Sequence, residues 1–123
     1  MFYLPIQILQ LLNQILINMA LEKAFVHHVY FWLKNIGSKE DQKALLQGLE
    51  ALSKVPTIQL FHIGVPADTN REVIDTTYAC SWLAIFNSKE EEEIYQHHPI
   101  HLEFIKNCSH LWSKVIVYDS VRL

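Results

Sequence analysis

Seven histidines stand in this chain of 123 residues, and His97, His98, His101 and His110 lie close together near its C-terminus. Tyr95 and His101 sit on either side of Pro99. Along an unbroken α-helix, six residues turn through about 240° net and would point the two side chains apart. A break at Pro99 is therefore needed to bring them onto one cavity. Converged, an imidazole with a pKa near 6.5 takes or returns a proton at neutral pH, and a phenol donates to a carbonyl or enolate oxygen. Such a pair suits proton abstraction beside a carbonyl, with aldol-type cyclisation or tautomerisation as examples. A structural role competes with this reading. In that case His98 is the turn residue before Pro99, and His101 ties two segments together through a backbone carbonyl.

Other chemistries find less support. His97 and His101 have usable spacing for a metal, as do His98 and His101. However, there is no HExxH, no paired carboxylate inside the run, and Pro99 interrupts the helix, so no metal is expected. His27 and His28 are adjacent on a strand and point to opposite faces, so they cannot serve one site together. Cys80 and Cys108 form no CxxC pair and have no evident cationic neighbour, and they read as small apolar side chains in a reducing, cytoplasmic protein. Gly37, Gly48 and Gly64 are isolated, so no phosphate loop exists, and no G-x-S-x-G anchors a serine triad. A formal charge of −3, with no basic aromatic RNA-binding strand, gives no reason to expect a nucleic-acid partner. No cofactor is implied.

The elements that must position these groups follow from periodicity. Half of the residues are hydrophobic and 19% are charged, as in one ordinary globular domain. A chain this short buries only about two-thirds of its unfolded surface, so a partner subunit would help. Residues 1–18 carry no charge; Gln7, Gln10, Gln14 and Asn18 make a narrow polar stripe on a helix that Pro5 suits at its start. The apolar run is too short to span a bilayer, which needs about 20 residues, and no signal-cleavage site follows. Met19 opens MALEKAFVHHVYF in the manner of a natural start. Residues 1–23 are therefore expected either to be an apolar helix that must be buried, or an extension upstream of the native start.

From residue 24 the period changes to two. Residues 24–34 read as a strand buried on both faces, 57–65 as a second, 76–86 as a third, with Tyr78, Cys80, Trp82 and Ala84 on one side, and 114–121 as the last. Ser38 with Asp41, and Ser88 with Glu91, resemble helix-capping signals. Leu45, Leu49 and Leu52 repeat at helical spacing. Glu90 to Glu93 read as a solvated first turn favoured by the helix dipole. The order β-α-β-β-α-β is the ferredoxin-like α+β pattern. With helices on one side of the sheet and apolar residues on both, the other side is expected to meet a second copy and form a dimeric α/β barrel.

The run Tyr95-Gln-His-His98-Pro99-Ile-His101-Leu-Glu-Phe104, followed by Trp112-Ser-Lys114 and a strand ending in Asp119, resembles the stress-responsive A/B-barrel (Dabb) family. The likeness extends over residues 24–121 and includes the His27-His28 strand and Gly64. It implies a homodimer of ferredoxin-like protomers. A plant polyketide cyclase of that family carries its acid/base pair at positions corresponding to Tyr95 and His101, a first-strand histidine corresponding to His28, and a pocket tryptophan corresponding to Trp112. Gly48 and Cys80 depart from that pattern, replacing a pocket tyrosine and a histidine, and Tyr30 and Trp32 are bulky for positions bordering the cavity.

The expectation is a Dabb-type homodimer binding a small, largely apolar carbonyl or aromatic compound, with cofactor-free cyclase, isomerase or lyase chemistry. Tyr95, His101 and His28 are the catalytic candidates, and Tyr30, Trp32, Trp82, Cys80, His98 and Trp112 line the pocket. Two alternatives stand beside it. One is a non-enzymatic, stress-responsive dimer that sequesters a ligand; the other is a haem-binding or oxygenase-like barrel. Neither nucleic acid nor membrane is expected as a partner.

Overall fold

The computed structural model describes residues 3–123, so Met1 and Phe2 of the N-terminal extension lie outside the described residues. A first helix, α1 (Ile6–Glu22), precedes strand β1 (Phe25–Leu33). Helix α2 (Lys39–Leu52), strands β2 (Leu60–Gly64) and β3 (Cys80–Phe86), helices α3 (Lys89–His97) and α4 (Pro99–Cys108), a short 3₁₀ turn, and strand β4 (Trp112–Val121) follow. The four strands form one antiparallel sheet in the order β2-β3-β1-β4. This is the ferredoxin-like arrangement expected from the element order.

Local chemistry sets the helix boundaries. Ser38 Oγ accepts from the Asp41 N–H at 3.1 Å, and Ser88 Oγ from the Glu91 N–H at 3.2 Å, satisfying donors that each helix would otherwise leave free. Gly37 takes φ +81° to turn β1 into α2, a conformation a side chain would strain. Leu45, Leu49 and Leu52 of α2 are fully buried in one core that also holds Phe25, Val29, Phe31 and Leu33 of β1, with α2 packing on α4 and β3. Each such side chain contributes about 1.5–3 kcal/mol of burial.

Several expectations shift on inspection. β3 begins at Cys80 rather than at 76, because Thr77 is engaged by Asp75 through its backbone N–H at 2.7 Å and its hydroxyl at 2.6 Å. Tyr78 therefore precedes the strand and leaves the face of Cys80, Trp82 and Ala84, packing instead on Tyr30 at 5.0 Å. β2 is shorter than the run 57–65, whereas β4 begins two residues early, at Trp112, which pairs with Leu33 across a register irregularity. β1 is buried on one face and half-buried on the other, so the chain by itself covers only its helix side. Helix α1 buries none of its residues; one ion pair, Glu22 to Arg122 at 2.9 Å, links it to the end of β4. Among the described residues, no helix is long and apolar enough to cross a membrane.

Candidate functional site

The α3–α4 corner places the two central side chains. His98 leaves helical geometry at φ −68°, ψ 141°, and its Nδ1 accepts from the Ile100 N–H at 3.1 Å, capping α4 with Pro99 in the first turn. The resulting change of direction brings the Tyr95 and His101 rings together edge to face, with centroids 4.8 Å apart. An uninterrupted helix would have separated them.

Tyr95 is 1% exposed, and its hydroxyl oxygen accepts a hydrogen bond from the Trp82 indole N–H at 3.1 Å. That bond leaves the phenol hydrogen for another acceptor. Burial pushes the Tyr95 phenol well above its usual range; the Trp82 bond works in the opposite direction. His101 Nδ1 is buried without a hydrogen-bond partner. Burial and then the charge of His27 hold the imidazole below its ordinary pKa, against a smaller upward pull from the Gln96 backbone carbonyl. An imidazole that is neutral at pH 7 acts as a base through whichever ring nitrogen carries no proton. Phe104 flanks His101 at 6.5 Å and stacks on Trp112 at 5.7 Å, giving the site an apolar wall.

Sequence reasoning passed over His27. It is 4% exposed and packs edge to face on Tyr95 at 5.7 Å, and its Nδ1 lies 2.6 Å from Asp119 Oδ1. Glu92 Oε1 stands 3.9 Å from the same nitrogen and accepts from Gln96 Nε2 at 2.7 Å. The acidic run expected to be solvated thus turns one member inward, since Glu92 is only 8% exposed. The signal was present in the pattern: His27 shares a face with Phe25, Val29 and Phe31, and Asp119 is its register partner on β4. The ligand atoms of His27, Glu92 and Asp119 all lie within 4.8 Å of one another, so one nitrogen and two carboxylates are the set that could hold a cation. The short His27–Asp119 bond already satisfies that pair.

The remaining nominated residues divide between the two sides of the sheet. His28 lies on the face opposite Tyr95 and His101, 6.1 Å from Tyr30, and cannot reach them within a protomer. Tyr30 and Trp32 share that open face, with Tyr78 and Tyr118 about them. Trp82, Cys80 and Trp112 lie on the helix side. Burial pushes the Cys80 thiol up to about 11, the opposite of an activated nucleophile. A Cβ added at Gly48 would overlap Cys108 Sγ and touch Phe104, so α4 occupies the space a larger side chain on α2 would need. Cavities of about 790, 360 and 350 Å³ are lined by neither Tyr95 nor His101.

A model of the stress responsive A/B barrel domain matches residues 25–122. No curated protein matches the chain. A solved structure of a protein from Arabidopsis thaliana is 27% identical, covering 80% of this chain and 95% of that one, with a TM-score of 0.67. The hydroxynitrile lyase from Passiflora edulis is similar in fold, with 18% identity, coverage of 83% and 95%, and a TM-score of 0.67. A dimeric ferredoxin-like protein of unknown function from Bacteroides fragilis superposes with a TM-score of 0.65 at 17% identity, covering 82% of this chain and 98% of that one.

Proposed function

Because the chain belongs to the stress responsive A/B barrel family, we propose that it is a homodimeric small-molecule-binding protein performing acid/base chemistry on an apolar carbonyl compound at Tyr95 and His101. The observation that carries this reading is the buried, unpartnered Nδ1 of His101 beside the Tyr95 ring. An unpaired buried polar atom is costly in a folded protein and calls for an explanation. A substrate C–H or O–H group supplies one.

In the proposed step, His101 Nδ1 takes a proton from the carbon next to a carbonyl. The C–H electron pair becomes the enolate double bond, and the Tyr95 hydroxyl donates to the carbonyl oxygen as charge develops there. The Trp82 N–H bond to the Tyr95 oxygen helps that oxygen bear negative charge. Protonation at a different carbon gives isomerisation; attack of the enolate carbon on a second carbonyl gives cyclisation. In place of His28, the first-strand candidate, His27 orients this corner, fixed by Asp119 at 2.6 Å. Tyr95 is almost wholly enclosed, so substrate enters when the α3–α4 corner opens. The open sheet face, with half-buried Val26, Tyr30, Trp32, Leu83 and Ile85 and exposed Tyr118, is covered by the second protomer.

The test is deuterium exchange. Aryl methyl ketones and linear polyketones incubated with the protein in deuterated buffer incorporate label next to the carbonyl, followed by NMR. His101→Gln lowers the exchange rate by about 10²–10⁴-fold, the usual contribution of a positioned base. The enclosure of Tyr95 and the capping role of His98 favour a second reading, a non-enzymatic ligand-sequestering dimer. Binding of these ketones without exchange in the wild type selects that one.

A further inference from the structure

Helix α1 lies before residues 25–122, the span of the family domain, so the sheet face assigned to the second protomer does not include it. Its exit is fixed: the Ala24 N–H donates to the Leu21 carbonyl at 3.2 Å, Ala24 is buried, and Glu22 pairs with Arg122 at 2.9 Å. With only Lys23 and Ala24 between α1 and β1, the helix stands off its own domain and buries none of its residues there. Its apolar side chains are ordered in a pattern. Leu9, Leu12, Leu16 and Met19 recur at spacings of three and four, the a and d positions of a heptad, and Ile8 and Ile15 take the flanking g position. At about 100° per residue these six span an unbroken arc of about 120°. Each of them is between 42% and 62% exposed. The opposite side carries Gln7, Gln10, Gln14 and Asn18, with Gln14 Nε2 donating to Asn18 Oδ1 at 3.1 Å.

This face fits a second copy of the same helix. No charged side chain occurs between residues 1 and 21, so copies meet without like-charge repulsion. A lipid surface fits less well: helices that lie on membranes carry Lys or Arg on their polar face, and here that face is made of amides. A two-stranded coil uses only the a and d columns, whereas the added g column serves a helix that touches two neighbours in a bundle. The homodimer proposed above, on which this inference rests, carries two such helices. We infer that α1 is a self-association element: four copies of α1, two from each of two homodimers, pack into one bundle that joins the dimers into a tetramer. The seam holds only four a and d residues, so the union is weak and grows in as concentration rises well above micromolar.

Light scattering on the full chain, from about 5 µM to about 500 µM, should show the mass growing from twice 14.4 kDa toward four times that value. Leu12→Lys and Leu16→Lys should each weaken the union by more than about tenfold, the worth of one buried leucine. Neither side chain is buried in the chain itself, so both variants should melt as the wild type does at micromolar concentration. Gln10→Lys, on the amide side, should leave the growth unchanged. Methyl-¹³C methionine labelling reads the seam locally: the two methionines are Met1 and Met19, and the Met19 signal, assigned by Met19→Leu, should shift over the same concentrations. A mass held at twice 14.4 kDa throughout, a Met19 signal that stays in place, or growth undisturbed by Leu16→Lys would overturn the assignment. So would a protein that remains dimeric and is carried down with phosphatidylcholine vesicles. The mass at micromolar concentration reads the sheet-face dimer and its growth reads α1, so failure of one is told from failure of the other.

Discussion

Replacing Tyr95 by Phe removes one atom from the centre of the site and tests whether the Trp82–Tyr95 contact is a real, dry hydrogen bond. Both side chains are 1% exposed, and the N–H to oxygen distance is 3.1 Å, toward the long end of the normal range. A neutral bond of this kind is worth about 0.5–1.5 kcal/mol net, and the stranded indole N–H adds a desolvation penalty, so Tyr95→Phe should destabilise by about 1–3 kcal/mol. For a chain of this size that lowers Tm by about 3–12 °C. Urea unfolding should show a lower midpoint with an unchanged slope, since the phenyl ring keeps the packing against Phe86 and His27. Trp82→Phe removes the donor and leaves a cavity as well. The double variant should therefore be less damaged than the sum of the singles by about 0.5–1.5 kcal/mol. A Tyr95→Phe protein as stable as wild type, or additive single and double effects, would mean that water reaches this bond and the site is not the closed one described.

Three further outcomes follow from the geometry. His101 has a pKa below that of the unfolded chain, so between the lowered value and about 6.5 the unfolded state binds more protons. Stability should fall as pH drops through that window and level off below it; His101→Gln should flatten this part of the thermal-melt profile. Gly48→Ala should gain about 1 kcal/mol of helix propensity but lose more through overlap with Cys108; adding Cys108→Ala should restore the difference, as read by chemical denaturation. Tyr118→Lys, placed on the open sheet face, should shift the mass measured by light scattering from twice 14.4 kDa toward a single chain, whereas a wild-type monomer at micromolar concentration would contradict dimerisation.

The fold was legible wherever one residue's chemistry decided a boundary. Ser38 and Ser88 announced their helices, Pro99 announced the corner, and Leu45, Leu49 and Leu52 announced the buried stripe of α2. Strand ends were less legible, because the side-chain bonds of Asp75 to Thr77 withdraw that segment from the ladder without changing its β-prone composition. The Tyr95–His101 pairing was readable as a conditional, given a break at Pro99. The choice between His27 and His28 was not, since adjacent histidines on a strand differ only in which face the helices cover. That is settled by long-range packing of α3 and α4 on β1, and the pairing of His27 with Asp119 joins residues 92 positions apart. Helix α1 was expected either to demand burial or to be an extension upstream of the native start, and in this single chain it finds no burial.

The most direct measurement is of the His101 ring itself, by long-range ¹H–¹⁵N correlation NMR across pH 4.5–8, with His101→Gln for assignment. If His101 is the base, its ring is neutral at pH 7 with Nδ1 unprotonated and its pKa lies below 6.5, as burial requires. Addition of a bound ketone should then move the Nδ1 signal. An imidazolium at pH 7, or a proton held on Nδ1, would contradict the acid/base reading and leave the Tyr95–His101 corner as a folding hinge.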